Sequence, residues 1–376
     1  MKPAILVSIA LGILLLAGAR PPAADPKIYE DAYNWAHPNE VKVAPEELLI
    51  RLPDSPYYRA RSFAFIGRLH EGIAFSIDLF QWVYGSSMNT WGLTVQVAEL
   101  SGELYHYDDK IAWQSVEDAP QLFHIRFANG EIQGQDGDQR VRLELPEFSC
   151  DLRIRNLIPP WKPGDGYAYY GSGKEIYSHL LLAAPLASVN GEMTIKGRTI
   201  QADGWCTASR SLTVLPLSKL GTVYFGWQVF SPDPSVEPWF LELHHYESRE
   251  EQNPLRIPML VLAHGSRWVL TTKQYSLSPE QLVEQEGIPH PYPKKLRIHA
   301  EAEGYTLDGY FTSYKVIRFQ DVFKSLPALL GAIASLFQKS PLIFRTIGDF
   351  QGTLLTPEGA VQDLNLSGLG SYTTFD

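Results

Sequence analysis

Residues 161–230 carry the most information about the fold. They include WKPGDGYAYYGSGKEIYSHLLLAAP (161–185), VNGEMTIKGRTIQADGWCTASRSL (189–212) and TVYFGWQVF (222–230). Aromatic residues, glycines and single polar residues follow one another in short runs with tight-turn signals between them, as in antiparallel strands. This pattern predicts a barrel whose interior is partly apolar and partly polar. Such an interior suits a hydrophobic ligand with one polar end.

The strand pattern extends from residue 57 to the C terminus. Short runs rich in Phe, Ile, Val and Tyr recur about every 8–12 residues, with Gly, Pro, Asn or Asp between them, which indicates a sandwich or a barrel. Prolines at positions 159, 160 and 163 interrupt the pattern and indicate a linker. We therefore predict an all-β protein of two antiparallel barrels in tandem, an N-terminal lobe at 57–188 and a C-terminal lobe at 189–376.

One segment departs from the β pattern. From Asp321 to Gln338 the sequence reads DVFKSLPALLGAIASLFQ, with apolar residues at intervals of three and four, which predicts a short helical insertion in the second lobe. One interpretation is a helix packed on the outside of that lobe. The alternative is an apolar flap that covers a barrel mouth or makes a peripheral contact with a membrane.

The N terminus has the features of an export signal. Lys2 precedes an unbroken run without charge that ends in Ala17-Gly18-Ala19, a small-x-small cleavage pattern. We predict a signal peptide at 1–19, export to the periplasm or cell envelope, and an extended leader at 20–56. An uncleaved anchor is the alternative, although the run is shorter than the roughly 20 residues of a spanning helix.

The chain has two cysteines, Cys150 and Cys206. In an oxidising compartment they have one possible pairing, with each other. The alternative is that both are small buried apolar residues.

Composition and motifs exclude several classes of function. The formal net charge of −10 argues against a nucleic-acid partner, because phosphate binding needs clustered Lys and Arg. The sequence has no Gly-x-Ser-x-Gly elbow, Walker A loop, dinucleotide glycine fingerprint or His-Glu-x-x-His motif, so it predicts no cofactor. His244 and His245 are adjacent, and neighbours on a strand point to opposite faces, so they predict no shared metal site.

A family resemblance rests on three short sequence motifs: Tyr169-Tyr170-Gly171, Ser178-His179 and Gly204-Trp205. In them the chain resembles the lipocalin-like two-lobe family of carotenoid 1,2-hydratases, AttH-type proteins, fungal decalin-forming pericyclases and survival-factor-1 proteins. The resemblance implies two lipocalin-like barrels with a ligand cavity. It also implies that residues of these three motifs contribute polar groups to that cavity.

The resemblance also implies where a catalytic acid belongs. In the hydratases the segment that begins at Gly-Trp continues into acidic residues, which can protonate a double bond. Here it continues as Cys206 to Ser211, without an acid. Asp203 and Glu242 are the candidate substitutes, with His179 as a partner.

Six residues are candidate ligand contacts: Tyr169, Tyr170, Trp205, Arg210, Trp227 and Gln228. An arginine in a mostly apolar strand needs an anion or water, so an inward Arg210 would bind a carboxylate or phosphate on the ligand. Trp227 and Gln228 point to opposite faces of one strand, and Gln228 is the inward polar group if Trp227 faces outward.

Three functions follow as hypotheses. The first is an exported binding or transfer protein for a hydrophobic small molecule, such as a lipid or isoprenoid, held in a barrel cavity. The second is a hydratase, isomerase or cyclase that acts on a polyene in the same cavity. The third is a structural role, with both barrels filled by side chains.

Overall fold

The structure, a computed structural model, describes residues 43–54, 58–84, 88–112, 116–119, 123–135, 138–169, 177–214, 223–247, 256–288, 290–322, 324 and 340–374. These residues form two curled antiparallel sheets in tandem, so the predicted all-β class with two lobes is confirmed. The described residues do not include the predicted signal peptide at 1–19 or Tyr170. Of the predicted helical insertion from Asp321 to Gln338, they include only residues 321, 322 and 324.

The first sheet has the order β4-β3-β2-β1-β13-β11-β9-β8-β7-β6-β5, and β10 and β12 pair with β11. Its strands are β1 (Arg59–Leu69), β2 (Ala74–Tyr84), β3 (Met88–Glu99), β4 (Gly102–Ile111), β5 (Glu117–Ala119), β6 (His124–Phe127), β7 (Gly130–Gln135), β8 (Asp138–Leu145), β9 (Phe148–Asn156), β10 (Tyr167–Tyr169), β11 (Tyr177–Ile195), β12 (Arg198–Gln201) and β13 (Gly204–Thr213).

The second sheet has the order β17-β16-β15-β14-β22-β21-β20-β19-β18. Its strands are β14 (Val223–Phe230), β15 (Trp239–Glu247), β16 (Arg256–His264), β17 (Arg267–Thr272), β18 (Tyr275–Val283), β19 (Tyr292–Ala302), β20 (Tyr305–Asp321), β21 (Leu342–Leu355) and β22 (Val361–Thr374).

The lobe boundary lies further along the chain than predicted. Residue 188 falls inside β11, and β13 inserts between β11 and β1 of the first sheet, with Arg210 opposite Phe63. The prolines after residue 158 end a strand, but Trp161 still forms a bridge with Leu182 within the first lobe. The boundary therefore lies between Thr213 and Val223, because β1 needs β13 to satisfy its second hydrogen-bonding edge.

Residues 43–54 lie against the first lobe. They include a short 3-10 helix, Pro45–Leu49, and Ile50 packs with Leu181 and Leu212. Lys162 forms an ion pair with Glu47. This part of the predicted leader is therefore attached by both apolar and ionic contacts. Among the described residues, no helix has the length and apolar character to span a membrane.

Side chains fill the concave interior of each sheet. Phe63, Phe65 and Phe75 in the first lobe have no exposed surface. In the second lobe Trp227 stacks on Phe311, with 5.3 Å between ring centroids. Among the described residues, these buried side chains occupy the part of each barrel in which we predicted a ligand chamber.

The convex faces of the two sheets pack against each other. Ile347 and Leu369 of the second lobe contact Ala74 and Ala98 of the first. A second apolar contact joins the lobes through a mixed cluster of Ile158, Trp161, Leu180, Leu182, Leu186, Phe230, Phe240, Met259, Val261 and Ala263. The side chain of Arg318 in β20 donates a hydrogen bond to Asp108 in β4 at 3.3 Å. The outward face of each sheet is thus partly an internal surface.

We predict that the two cysteines stay reduced in the native protein. Both are buried and unpaired, and burial raises the pKa of each thiol, which suppresses the reactive thiolate. Ellman's reagent should therefore detect almost no thiol in the folded protein and two per chain after denaturation without reductant. A disulfide would instead leave no thiol to detect in the denatured chain.

Candidate active site between the lobes

Strand alternation separates two sets of side chains on β14 and β15. Trp227 points into the barrel core, so Tyr224, Gly226 and Gln228 point to the convex face. On β15, Glu242 and His244 lie opposite Gln228 and Gly226 and share that face. The convex face is the one that meets the first lobe. The neighbouring residues on that face, Phe230 of β14 and Phe240 of β15, belong to the contact between the lobes.

Three of these side chains form a hydrogen-bonded series, which we call the outer triad: Tyr224, His244 and Glu242. The Tyr224 hydroxyl lies 3.0 Å from His244 Nδ1, and His244 Nε2 lies 2.7 Å from Glu242 Oε1. Gln228 Nε2 donates to the same Glu242 oxygen at 3.2 Å. With Glu242 ionised, one tautomer satisfies both bonds of the histidine: Tyr224 donates to Nδ1, and Nε2–H donates to the carboxylate.

Glu242 is the most deeply buried member of the triad. Its side chain is 1% exposed, and His244 is 17% exposed. Within the part of the chain that the structure describes, Glu242 Oε2 has no hydrogen-bond partner, whereas Oε1 has two. A buried carboxylate oxygen without a partner is costly to stability and is therefore typical of a functional site.

Tyr224 and Gly226 fit each other closely. A Cβ atom added at Gly226 would lie 2.3 Å from the Tyr224 hydroxyl, so only glycine lets the tyrosine fold across β14 toward His244. Burial raises the pKa of Tyr224 well above its usual value. The phenol therefore stays protonated at neutral pH and acts as a donor.

The first lobe also has polar side chains on the face that meets the other lobe. Ser62 and Asp78 lie on the same faces of β1 and β2 as Ile66 and Ala74, which contact the second lobe. The Ser62 hydroxyl donates to Asp78 Oδ1 at 2.5 Å. Burial raises the pKa of Asp78, while this hydrogen bond and the nearby Arg345 lower it.

These polar residues lie on the convex faces that meet between the lobes. Ser62, Asp78, Tyr224, His244 and Tyr246 each keep part of their surface accessible. Burial raises the pKa of Asp78, Tyr224 and Tyr246, the last to about 12. We call the region between the convex faces that these side chains border the interlobe cleft.

A matching arrangement lies on the concave face of the same strands, which we call the inner triad: Tyr275, His245 and Glu247. His245 Nδ1 lies 3.0 Å from the Tyr275 hydroxyl and Nε2 lies 3.0 Å from Glu247 Oε2. Here the carboxylate is 43% exposed and the histidine is 2% exposed, the reverse of the outer triad. Adjacent histidines thus hold the same chemical groups on opposite faces, and only the outer set faces the interlobe cleft.

Two of the residues predicted from sequence, Glu242 and Gln228, belong to the interlobe cleft. Gln228 was expected to point inward if Trp227 pointed outward, and the structure has the reverse orientation. Trp227 is a core residue 3% exposed, and it packs closely against Gly370. The large ring is therefore part of the barrel core, and its assignment as a ligand contact stays a prediction.

The other predicted catalytic residues lie elsewhere. Asp203 is 68% exposed and accepts a hydrogen bond from Asn190 at 2.9 Å, so it cannot act as an acid in a closed cavity. His179 is buried beside Tyr167, with 4.5 Å between ring centroids. Burial lowers the pKa of His179 to about 4. The described contacts bring neither residue together with Glu242.

The remaining predicted ligand contacts are also dispersed. Tyr169 stacks on Tyr167 with 5.8 Å between centroids, within a group of surface aromatic rings. Trp205 packs edge-on against His70 at 5.4 Å. Neither residue makes a described contact with the outer triad.

Arg210 points into the first barrel, which is the orientation that the predicted binding of a ligand carboxylate or phosphate requires. It does not contact a carboxylate among the described residues: it donates to the Ser209 carbonyl and to Gln139, and the Phe123 ring centroid lies 4.5 Å from its guanidinium carbon. Burial lowers the pKa of Arg210 to about 9. Aromatic rings and an amide surround the guanidinium, while Arg210 Nε has no hydrogen-bond partner among the described residues. Binding of a ligand anion by Arg210 stays a prediction.

Sequence analysis missed Tyr224, His244, Asp78 and Arg345. Strand alternation placed Tyr224 with Gln228 and His244 with Glu242, but it could not show which face meets the other lobe. Among the described residues, no group of three or more His, Cys, Asp and Glu side chains has the geometry of a metal site.

No protein-family model and no curated protein sequence matches the chain. Solved structures do. An AttH-type protein from Nitrosomonas europaea aligns over 90% of this chain and 98% of its own, with a TM-score of 0.61 and 14% identity. CghA, solved with Sch210972, aligns over 94% and 97%, with a TM-score of 0.58 and 11% identity.

Kievitone hydratase from Nectria haematococca aligns over 92% of this chain and 98% of its own, with a TM-score of 0.54 and 11% identity. These proteins share the two-lobe lipocalin-like fold, and the resemblance seen in the sequence is confirmed at the level of the fold. The chain thus has a two-lobe lipocalin-like fold, with polar side chains on the convex faces that meet between its lobes.

Proposed function

We propose that the protein is an enzyme that binds a hydrophobic small molecule in the interlobe cleft and catalyses proton transfer at one of its double bonds. The observation that carries the proposal is the outer triad, in which a buried glutamate, a histidine and a tyrosine are joined by hydrogen bonds of 2.7 and 3.0 Å. A carboxylate that orients a histidine, which in turn contacts a third polar group, is the usual basis of general acid–base catalysis.

The interlobe cleft is a better ligand site than either barrel. Side chains fill both barrel interiors, whereas the cleft retains accessible polar groups and has apolar residues next to them. Phe80 and Trp82 lie on the same face of β2 as Asp78, and both are partly accessible. A ligand with an apolar body and a polar reacting group fits this combination.

The acidity of Tyr224 favours a particular reaction class. A phenol with a raised pKa is too weak an acid to protonate an isolated double bond, but it can donate to the oxygen of a developing enolate. The substrate is therefore a double bond conjugated to a carbonyl. Addition of water, double-bond migration and ring closure are the reactions open to it. In the first two, the Tyr224 hydroxyl turns from His244 Nδ1 to donate a hydrogen bond to the substrate oxygen, and the freed Nδ1 takes a proton from water or from a substrate carbon. Glu242 stabilises the resulting imidazolium, which then gives the proton to a carbon of the enolate.

Binding or transfer without a reaction is the second candidate. It is favoured by the hydrogen bonds of His244. Tyr224 and Glu242 occupy both of its ring nitrogens, so neither nitrogen is free in the structure to take a proton from a substrate. In this alternative the outer triad fixes the orientation of a polar ligand group. For either function we propose an exported protein, on the basis of the uncharged run that ends at Ala19.

The two candidate functions differ in whether a bound ligand exchanges hydrogen with the solvent. Pseudoionone, an enone with conjugated and isolated double bonds, would be bound to the protein, and quenching of tryptophan fluorescence would verify binding. After incubation in D₂O, mass spectrometry would measure deuterium uptake and water addition. We expect deuterium uptake and water addition, both at the double bond conjugated to the carbonyl. Binding without exchange or addition would support transfer and contradict the enzyme.

A further inference from the structure

Two arginines lie side by side on the convex face of the second lobe. Arg318 in β20 and Arg345 in β21 are directly opposite each other in the sheet. Like charges in this relation repel each other. Arg318 is neutralised by Asp108 of the first lobe at 3.3 Å. Arg345 has no hydrogen bond or ion pair with any described residue, and its side chain is exposed.

Arg345 nevertheless belongs to the interlobe cleft. It is close enough to lower the pKa values of Asp78 from the first lobe and of Tyr224 and Tyr246 from the second. Its neighbour in β22 is Ser371, which pairs with Gly226 of β14, and Gly226 pairs with His244 of β15. One row across four strands therefore joins Arg345 to the outer triad.

The row also sets a distance. Three strand spacings separate Arg345 from His244, which corresponds to about 14 Å between their Cα atoms. A group held by Arg345 and a group that reacts at Tyr224 can therefore belong to one ligand of moderate length. Ile343 lies on the same face of β21 as Arg345 and is partly accessible, which extends the apolar surface beside the guanidinium.

Asp78 does not satisfy Arg345. The Asp78 carboxyl accepts a hydrogen bond from Ser62, and no ion pair links it to Arg345. Arg345 thus presents a cation with free donors at the edge of a partly apolar cleft, and the forked guanidinium is suited to bind a carboxylate.

We propose that Arg345 binds a carboxylate at one end of the ligand, while the apolar body of the ligand extends along the cleft toward the outer triad. The inference rests on the proposed ligand site in the interlobe cleft, and it identifies the ligand as a long apolar molecule with an acidic terminus. The carboxylate also relieves the repulsion between Arg345 and Arg318.

The test compares cis-parinaric acid with its methyl ester, two fluorescent probes that differ only in charge, at pH 8. We expect the wild-type protein to bind the acid at least about tenfold more tightly than the ester, as is typical for a hydrogen-bonded ion pair. Arg345→Gln should bind both probes with the affinity that the wild type shows for the ester. Arg318→Gln, the matched control, should keep the preference for the acid.

The possible results separate the two proposals. If Arg345→Gln keeps the full preference for the acid, or if the wild type has none, the assignment of Arg345 is wrong while the cleft can still be the ligand site. If neither probe binds any of the three proteins, the ligand site in the cleft is itself refuted. Circular dichroism of each variant verifies that a lost preference is not a lost fold.

Discussion

Glu242→Gln is expected to reduce the rate of deuterium uptake into pseudoionone by about 10²–10⁴-fold, the range for loss of a general acid–base group. The amide has the shape of the carboxylate but carries no charge, so it cannot stabilise a positively charged His244. It also fails to fix the tautomer in which Nε2–H faces residue 242. Both effects act on the transition state, so the affinity for the probe should change by less than about twofold.

Glu247→Gln is the matched control for this prediction. Glu247 occupies the same position in the inner triad, two residues from a histidine on the same strand, but it lies on the other face of the sheet. Its replacement should leave the exchange rate within about twofold of the wild type. The catalytic role of the outer triad is contradicted if the two variants lose activity equally, or if Glu242→Gln keeps more than half of the rate.

Trp227→Ala is expected to lower the free energy of unfolding by about 3–5 kcal/mol, as is usual for removing a large buried aromatic side chain. The ring is 3% exposed and stacks on Phe311 at 5.3 Å between centroids. Gly348 and Gly370 leave the space that the ring occupies: a Cβ added at Gly370 would lie 2.6 Å from the indole. The backbone at these glycines cannot collapse far enough to fill the cavity left by alanine.

Urea unfolding followed by circular dichroism measures this change. Trp239→Ala is the control, because Trp239 is only partly buried and stacks on the partly accessible His264. It should lose less than about 2 kcal/mol. A small loss for Trp227→Ala together with a large loss of probe binding would support Trp227 as a ligand contact and contradict its place in the core.

The sequence was sufficient for the fold class. Strand-length apolar runs and turn residues identify two β lobes, since alternation and turn chemistry are local properties. The boundary at residue 188 was wrong because pairing between β1 and β13, which places Phe63 opposite Arg210, joins residues far apart in the chain. Prolines indicate where a strand ends, but they do not indicate which sheet the next strand joins.

The candidate site was only half predictable. Alternation correctly separated Trp227 from Gln228 and His244 from His245, and Glu242 was selected as an acid. The prediction of a cavity inside the barrel led to Asp203, His179, Tyr169 and Trp205, which have separate environments. Buried aromatic side chains occupy the barrel interiors, whereas the hydrogen-bonded residues Tyr224, His244 and Glu242 lie on the convex face.

The amino-acid sequence by itself determined the strands, their two-faced character and the set of chemical groups on each face. Only the tertiary structure decided that the convex faces meet, and that Tyr224, His244 and Glu242 therefore lie on the face that meets the first lobe. Ser62 and Asp78 lie on the corresponding face of the first lobe. The physical reason is that a strand has the same alternation whether its polar face meets water or a second lobe. Packing between residues distant in sequence makes that choice.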